Sequence, residues 1–190
     1  MANRGRLNSM PMQALQAAPQ RWWSSSSAKR RGVRIVVEPG DGPLTVECDA
    51  EQLQQVFINL AVNAFDAMAP SGGTLRVSSE IEHKADHRAI LKLTFEDNGA
   101  GVPEQFQQHV FDSFFTTKPP GKGTGMGLSV SQAIIYDHNG DISFDSKPGG
   151  THFYVRVPWP RKTLLLTPTA MHDWSAQFDR TAGNNSGSRR

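Results

Sequence analysis

The sequence predicts an α+β domain built as a two-layer sandwich, with a mixed β-sheet on one side and helices packed on one of its faces. Three observations predict it. An amphipathic period runs from about residue 50 to 68, two long alternating stretches follow as a hairpin, and a second helical stretch is followed by another strand pair.

The elements follow in order along the chain. Val33 to Val37 and Leu44 to Cys48 alternate as short strands around the turn Pro39-Gly40-Asp41-Gly42-Pro43. Asp49 is placed to cap a helix in which Leu53, Phe57, Leu60 or Ala61, Ala64 and Met68 recur at three- and four-residue spacing. Pro70-Ser71-Gly72-Gly73 stops that helix. Thr74 to Ile81 and Ala89 to Glu96 are predicted strands joined by the polar turn His83 to His87. Pro103-Glu104 opens a short helix to about Val110, and a glycine-rich stretch from Pro119 to Gly127 leads into a helix over 128–136. Asn139-Gly140 fits a left-handed helix end, and Ile142 to Ser146 with His152 to Val157 form the last strand pair.

The 190 residues fit one domain with sequence left over at each end. The domain is expected over 33–158. Residues 1–32 carry Pro11, Pro19, the run Ser24 to Ser27 and no sustained apolar period, so they are expected to be a disordered basic segment or linker remnant. Their lack of acids also resembles a mitochondrial transit peptide, but the apolar residues show no clean amphipathic repeat. Residues 159–190, rich in Gly, Asn and Ser towards the end, are expected to be a second disordered tail.

Charge is divided along the chain. Residues 1–37 carry +7, residues 161–190 carry +3, and the middle, with 8 basic against 16 acidic residues, carries −8. The basic character belongs to the tails, and the predicted domain has the wrong sign for a nucleic-acid backbone. The lone Cys48 excludes an internal disulfide and a multi-cysteine zinc site; it reads as a small buried strand residue of a reduced, cytoplasmic protein. The longest apolar stretch, Phe57 to Met68, is interrupted by Asn59, Asn63 and Asp66, so no membrane span is expected.

Three segments carry candidate chemistry. Asn59 and Asn63 lie four apart and project from one helix face, where carboxamide oxygens suit a Mg²⁺ ion that takes its other oxygens from water and phosphate. Plain solvation is the alternative, set against the propensity cost of two asparagines in mid-helix. Asp97-Asn98-Gly99-Ala100-Gly101 follows a strand; its carboxylate can accept from an exocyclic amine and its glycines admit a flat ligand, although a polar turn would look the same. Gly121 to Leu128 (GKGTGMGL) leads into a helix, so its backbone N–H groups can hold phosphates beside Lys118 and Lys122. A flexible linker is the alternative there, but an apolar helix follows without a break. Neither a P-loop nor a GxGxxG fingerprint is present.

The order and spacing of these segments resemble the catalytic and ATP-binding domain of sensor histidine kinases, of the Bergerat-type fold shared with gyrase, heat-shock chaperones and mismatch-repair ATPases. The resemblance covers about 125 residues. EQLQQVFINLAVNAFDAM from Glu51 looks like the N box, DNGAGVP from Asp97 like the first glycine box, FDSFFTTK from Phe111 like the F box and GKGTGMGL like the second glycine box. GGTHFYVRVP from Gly149 resembles the family's last strand.

The resemblance implies ATP and Mg²⁺ as cofactors and assigns roles. Asn63 would coordinate the metal, Asn59 would support metal and phosphates, and Asp97 would bind the adenine amine. Gly99 and Gly101 would shape the base pocket, and the backbone around Gly123, Gly125, Gly127 and Leu128 would hold phosphates. Lys118 is the candidate γ-phosphate contact. Phe111 to Gly125 would be a mobile lid, with Phe111, Phe114 and Phe115 anchoring it or docking a partner. Some relatives carry a basic residue where this chain has Asp66, which shifts phosphate neutralisation onto the lid lysines.

In gyrase-like ATPases and anti-sigma serine kinases a glutamate typically stands where this chain has Asn59, and an amide cannot serve as that general base. Histidine phosphorylation is therefore favoured over hydrolysis. No histidine of the predicted domain has an acidic neighbour after it, and His172-Asp173 lies in the tail. The expected partner is a histidine-containing dimerisation domain in trans, with a response regulator served indirectly. The alternatives are a stand-alone regulator that binds ATP without transferring phosphate, and a slow ATPase.

Overall fold

The computed structural model describes residues 8–11, 32–38, 40, 45–85, 89–119 and 123–159. Helix α1 (Ala50–Ala67) begins at Asp49, whose side chain accepts from the Glu51 and Gln52 N–H groups. That satisfies two of the four amides a helix start leaves without partners. Its apolar stripe buries Leu53, Val56, Phe57, Leu60, Ala61, Ala64 and Phe65. The opposite face, with Glu51, Gln52, Gln55 and Val62, is exposed.

Seven strands are described: β1 (Asn8–Pro11), β2 (Val33–Glu38), β3 (Thr45–Cys48), β4 (Gly73–His83), β5 (Ala89–Asp97), β6 (Asp141–Lys147) and β7 (Gly150–Trp159). Five form one sheet in the order β2-β4-β5-β7-β6. β2 runs parallel to β4, and the other three pairings are antiparallel, so the sheet is mixed as the sequence predicts. The predicted β4–β5 hairpin and the β6–β7 pair are present, although residues 86–88 of the first turn lie outside the described residues. β2 and β3 are not partners. β3 pairs instead with β1 in a separate two-stranded sheet, so four residues of the stretch expected to lack structure form a strand. A backbone pairing of this kind needs no apolar period, which is why 8–11 carries no sequence signal. The rest of 1–31 and all of 160–190 lie outside the described residues.

Two further helices are seen among the described residues. Helix α2 (Glu104–Gln107) is shorter than the predicted segment, and turns carry the chain on to Phe111. Helix α3 (Gly127–Asp137) ends at Asn139, which adopts the left-handed conformation (φ 55°). The Gly140 N–H then donates to the Ile135 carbonyl at 2.9 Å.

Strand alternation decides which sheet face the helices cover. Leu91, Leu93 and Phe95 of β5 are buried opposite Val157, Val155 and Phe153 of β7. These residues join Leu53, Val56, Leu60, Ile135 and Cys48 in one core; burying each large aliphatic side chain contributes roughly 1.5–3 kcal/mol. The same inner row ends in a polar pair, Asp97 opposite Thr151, each almost fully buried. An apolar layer that finishes in buried polar groups marks where the core gives way to a site.

His138 ties the two long helices together. Its Nε2 accepts the Asp49 N–H at 3.0 Å, which leaves Nδ1 as the protonated nitrogen donating to the Ile134 carbonyl at 2.8 Å. His138→Ala is expected to lower stability by about 1–2 kcal/mol, because the Asp49 amide loses its acceptor. Urea denaturation checks this; an unchanged midpoint would show that water replaces the ring at no cost.

Candidate nucleotide-binding site

Three separated segments converge on one side of α1. At its C-terminal end the Ala67 carbonyl accepts the Ala100 N–H at 3.1 Å, which docks the turn after β5. One turn earlier, Asn63 Oδ1 and Asp66 Oδ2 both meet Lys118 Nζ, at 3.1 and 2.6 Å. A turn before that, Asn59 Nδ2 donates to the Gly127 carbonyl at 2.9 Å and to Ser131 Oγ at 3.1 Å, holding the start of α3. The two asparagines thus lie on one helix face, as their spacing predicts, and Asp66 extends that face by one further position.

Asp97 stands at the inner end of β5, 5% exposed. Its Oδ1 accepts the Gly99 N–H at 2.8 Å. Burial raises its carboxyl above the usual carboxylate range, and backbone N–H groups of Gly99 and Thr151 pull it partly back. A carboxylate held by its own turn keeps acceptor capacity for a ligand amine. Gly101 makes the same turn possible: it has φ 76°, and a Cβ there would run into the Lys147 carbonyl. The turn is fixed further by Asn98 Oδ1, which accepts the Thr74 N–H at 2.7 Å.

Beyond Asn59, α3 begins without any capping side chain. The amides of Gly127, Leu128 and Ser129 precede the first intrahelical bond, from the Val130 N–H to the Met126 carbonyl, and carry the positive end of the helix dipole, the arrangement that receives an anion. Gly125 (φ 68°) lies back-to-back with Phe114, whose N–H donates to the Gly125 carbonyl at 2.9 Å. A Cβ on Gly125 would strike the Phe114 backbone. Gly123 is exposed in the same segment. Gly127 differs from its neighbours. A Cβ there meets Asn59 only at ordinary contact distance, so its carbonyl rather than its lack of a side chain serves the site.

The three phenylalanines separate by role. Phe111 packs edge-on against Phe144 with ring centroids 5.9 Å apart, and Phe115 lies 5.8 Å from both Phe106 and His109. Phe114 is 73% exposed at a positive φ of 68°, an uncommon conformation for a bulky residue. The first two anchor the segment, and the third faces solvent. Lys122 lies outside the described residues.

The residue type and spacing of Asn59 carry no sign of its hydrogen bonds to α3. Ser131 joins it as a site residue, completely buried and donating from its Oγ to the Gly127 carbonyl at 2.8 Å. A serine among apolar positions of a helix is the signal that could have found it.

The Asn63 and Asp66 oxygens around the Lys118 ammonium, between a buried carboxylate turn and an uncapped helix start, are features of an α+β sandwich that can receive a nucleotide. The family model for histidine kinase-, DNA gyrase B-, and HSP90-like ATPases matches residues 48–161, and the chain belongs to that family. It is 36% identical over 143 residues to the sensory histidine kinase/phosphatase NtrB of Azospirillum brasilense, covering 70% of this chain and 35% of NtrB. It is 37% identical over 139 residues to the sensor kinase CckA of Brucella abortus, covering 67% of this chain and 15% of CckA. The chain thus spans about a third or less of the length of these relatives. Among solved structures, the catalytic domain of the histidine kinase ThkA superposes with a TM-score of 0.66 at 26% identity, covering 80% of this chain and 98% of that one. The chain carries a histidine-kinase-type ATP-binding catalytic domain.

Proposed function

We propose that residues 33–158 bind Mg-ATP and transfer its γ-phosphate to a histidine on a helical dimerisation domain, the first step of a two-component phosphorelay that ends on a response regulator. The work is cytoplasmic, where ATP is available. The observation that carries the reading is the oxygen pair on α1. Asn63 Oδ1 and Asp66 Oδ2 hold one cation, the Lys118 ammonium, beside the uncapped start of α3.

Those two oxygens fit Mg²⁺ by their chemistry, being hard donors few enough to leave most positions to water and phosphate. Among the described residues no group of three or more His, Cys, Asp or Glu side chains could hold a metal by itself. Asn63 and Asp66 would hold the ion, which neutralises phosphate charge when bound. The chain's own residues do the rest. Asp97 accepts the adenine amine, Gly99 and Gly101 let the base lie against the turn, and the amides from Gly123 to Leu128 grip the phosphates. Lys118 reaches the γ-phosphate. Phosphoryl transfer needs this kind of positioning and charge compensation more than covalent help.

Asn59 supports transfer over hydrolysis. Its amide nitrogen is committed to Gly127 and Ser131, and its oxygen is too weak a base to activate water. Three of the described histidines are also engaged elsewhere: His138 between α1 and α3, His109 with Asp112 at 2.7 Å, and His152 beside Glu96. The names of NtrB and CckA, a sensory histidine kinase/phosphatase and a sensor kinase, agree with the reading.

Radiolabelled ATP tests it. Label should pass to a supplied histidine dimerisation domain, whereas tight nucleotide binding with neither transfer nor phosphate release would sink it. Asn63→Asp provides a second check. A second carboxylate beside Asp66 should hold Lys118 more strongly and oppose the triphosphate, weakening ATP by about tenfold, or roughly 1.4 kcal/mol. The melting temperature should not fall. Titration calorimetry with unchanged affinity would refute the role given to Asn63.

A further inference from the structure

Lys118 lies 52 residues beyond Asp66, yet its ammonium is 2.6 Å from that carboxylate and 3.1 Å from the Asn63 carboxamide oxygen. The Lys118 and Asp66 side chains are only 29% and 27% exposed, so this is not a solvated surface pair. Charge-assisted contacts of this length are among the stronger hydrogen bonds. The segment bearing Lys118 is held locally by the Phe114 N–H on the Gly125 carbonyl and the Phe115 N–H on the Asp112 carbonyl. The Lys118 N–H, in turn, donates to Thr116 Oγ1 at 3.2 Å.

An ammonium and a hydrated divalent ion ask the same thing of a protein, a cluster of hard oxygens, and two cations cannot occupy one cluster. We propose that Asp66 holds Lys118 as a tethered counter-cation that must leave when the divalent ion binds with nucleotide. The lysine and the ion exchange on the same two oxygens, and the exchange frees Lys118 for the phosphates. This rests on the Mg-nucleotide reading given above.

Exchange also explains how a carboxylate is tolerated beside a polyphosphate. With either cation in place, Asp66 is neutralised. With neither, it repels the ligand. Nucleotide affinity should therefore depend on the divalent ion more steeply than in a variant with an amide at this position.

The experiment uses the full chain, ADP and Mn²⁺, with bound metal read by electron paramagnetic resonance. ADP has no γ-phosphate, so any contact of Lys118 with that group drops out. Amide hydrogen exchange over 112–119 is measured in parallel without nucleotide. Lys118→Met should tighten Mn²⁺ binding to the ADP complex at least threefold and speed exchange at Phe114, Phe115 and position 118 about tenfold. Asp66→Asn should speed the same amides and weaken Mn²⁺ about tenfold, while Lys118→Arg should keep exchange slow. Exchange over 127–137 serves as the folding control, and if Asp66→Asn disturbs it, the two Lys118 variants decide.

The proposal is overturned if Lys118→Met leaves both Mn²⁺ affinity and exchange unchanged, or if a correctly folded Asp66→Asn binds Mn²⁺ as the parent does. Failure of the parent chain to bind ADP would instead sink the nucleotide reading. The tether would then stand or fall on exchange over 112–119 alone.

Discussion

Asp97→Asn is expected to abolish useful ATP binding while leaving the fold at least as stable as the parent. The carboxylate is 5% exposed and burial raises its proton affinity. An ionised Asp97 therefore costs the folded state at neutral pH. An asparagine fills the same volume and can still accept the Gly99 N–H through its oxygen, but it carries no charge to desolvate. Its NH₂, however, can oppose the adenine amine donor to donor. Losing a hydrogen bond to a charged group and leaving its partner unsatisfied costs about 2–3 kcal/mol, or roughly 30- to 150-fold in affinity.

The pH dependence fixes the sign. The folded pKa lies above the unfolded one. The protonated form therefore favours the fold below the ordinary carboxylate range, and that contribution is lost as pH rises through the raised folded pKa. The melting-temperature advantage of Asp97→Asn should be largest near neutrality and shrink on acidification. ATP affinity of the parent should fall over the same interval, as the acceptor is protonated. Thermal melts and calorimetry across pH 4–7 check both. A variant with lower stability at neutrality, or with intact ATP affinity, would contradict the role given to Asp97.

Asn59→Asp should be comparably damaging by a different route. The asparagine contributes two N–H bonds, to the Gly127 carbonyl and to Ser131 Oγ, across 68 and 72 residues. The carboxylate has no hydrogen to give and would face the Gly127 carbonyl oxygen at hydrogen-bonding range. The lost bond to Gly127 and that repulsion, with the Ser131 hydroxyl free to turn from the Gly127 carbonyl to the new carboxylate, should detach the first turn of α3 at a cost of about 3 kcal/mol, with a loss of ATP affinity near 100-fold. Unlike Asp97→Asn, the variant should melt earlier. Appearance of ATP hydrolysis in its place would show instead that the new carboxylate acts as a base and that Asn59 alone restrains the site.

The contrast between these two residues shows what was legible in the sequence. Asp97 could be read because its signals are local: a strand that ends, a carboxylate, then glycines at Gly99 and Gly101, one of which must adopt φ 76°. The helix over Ala50–Ala67 was legible for the same reason, with apolar spacing and an N-cap within one window. Asn59 carried its residue type and its helix face, but the donor–acceptor pattern that defines its task depends on Gly127 and Ser131, and periodicity carries no information on such pairings. The Lys118–Asp66 contact was hidden likewise. The sequence pointed to both side chains, yet suggested that Asp66 shifted work onto the lysines and not that it held one of them. The parallel β2–β4 pairing and the β1–β3 pair belong to the same class, since alternation assigns faces to a strand but not neighbours.

Helix α1 is bound to the turn after β5 at Ala67, to Lys118 at Asn63 and Asp66, and to the start of α3 at Asn59. At about 1.5 Å per residue, those attachments span roughly 12 Å of one stiff rod. The proposed base, metal and phosphate contacts are therefore not three independent adjustments. A twist or axial slip of α1 moves all three together, along a single mechanical coordinate.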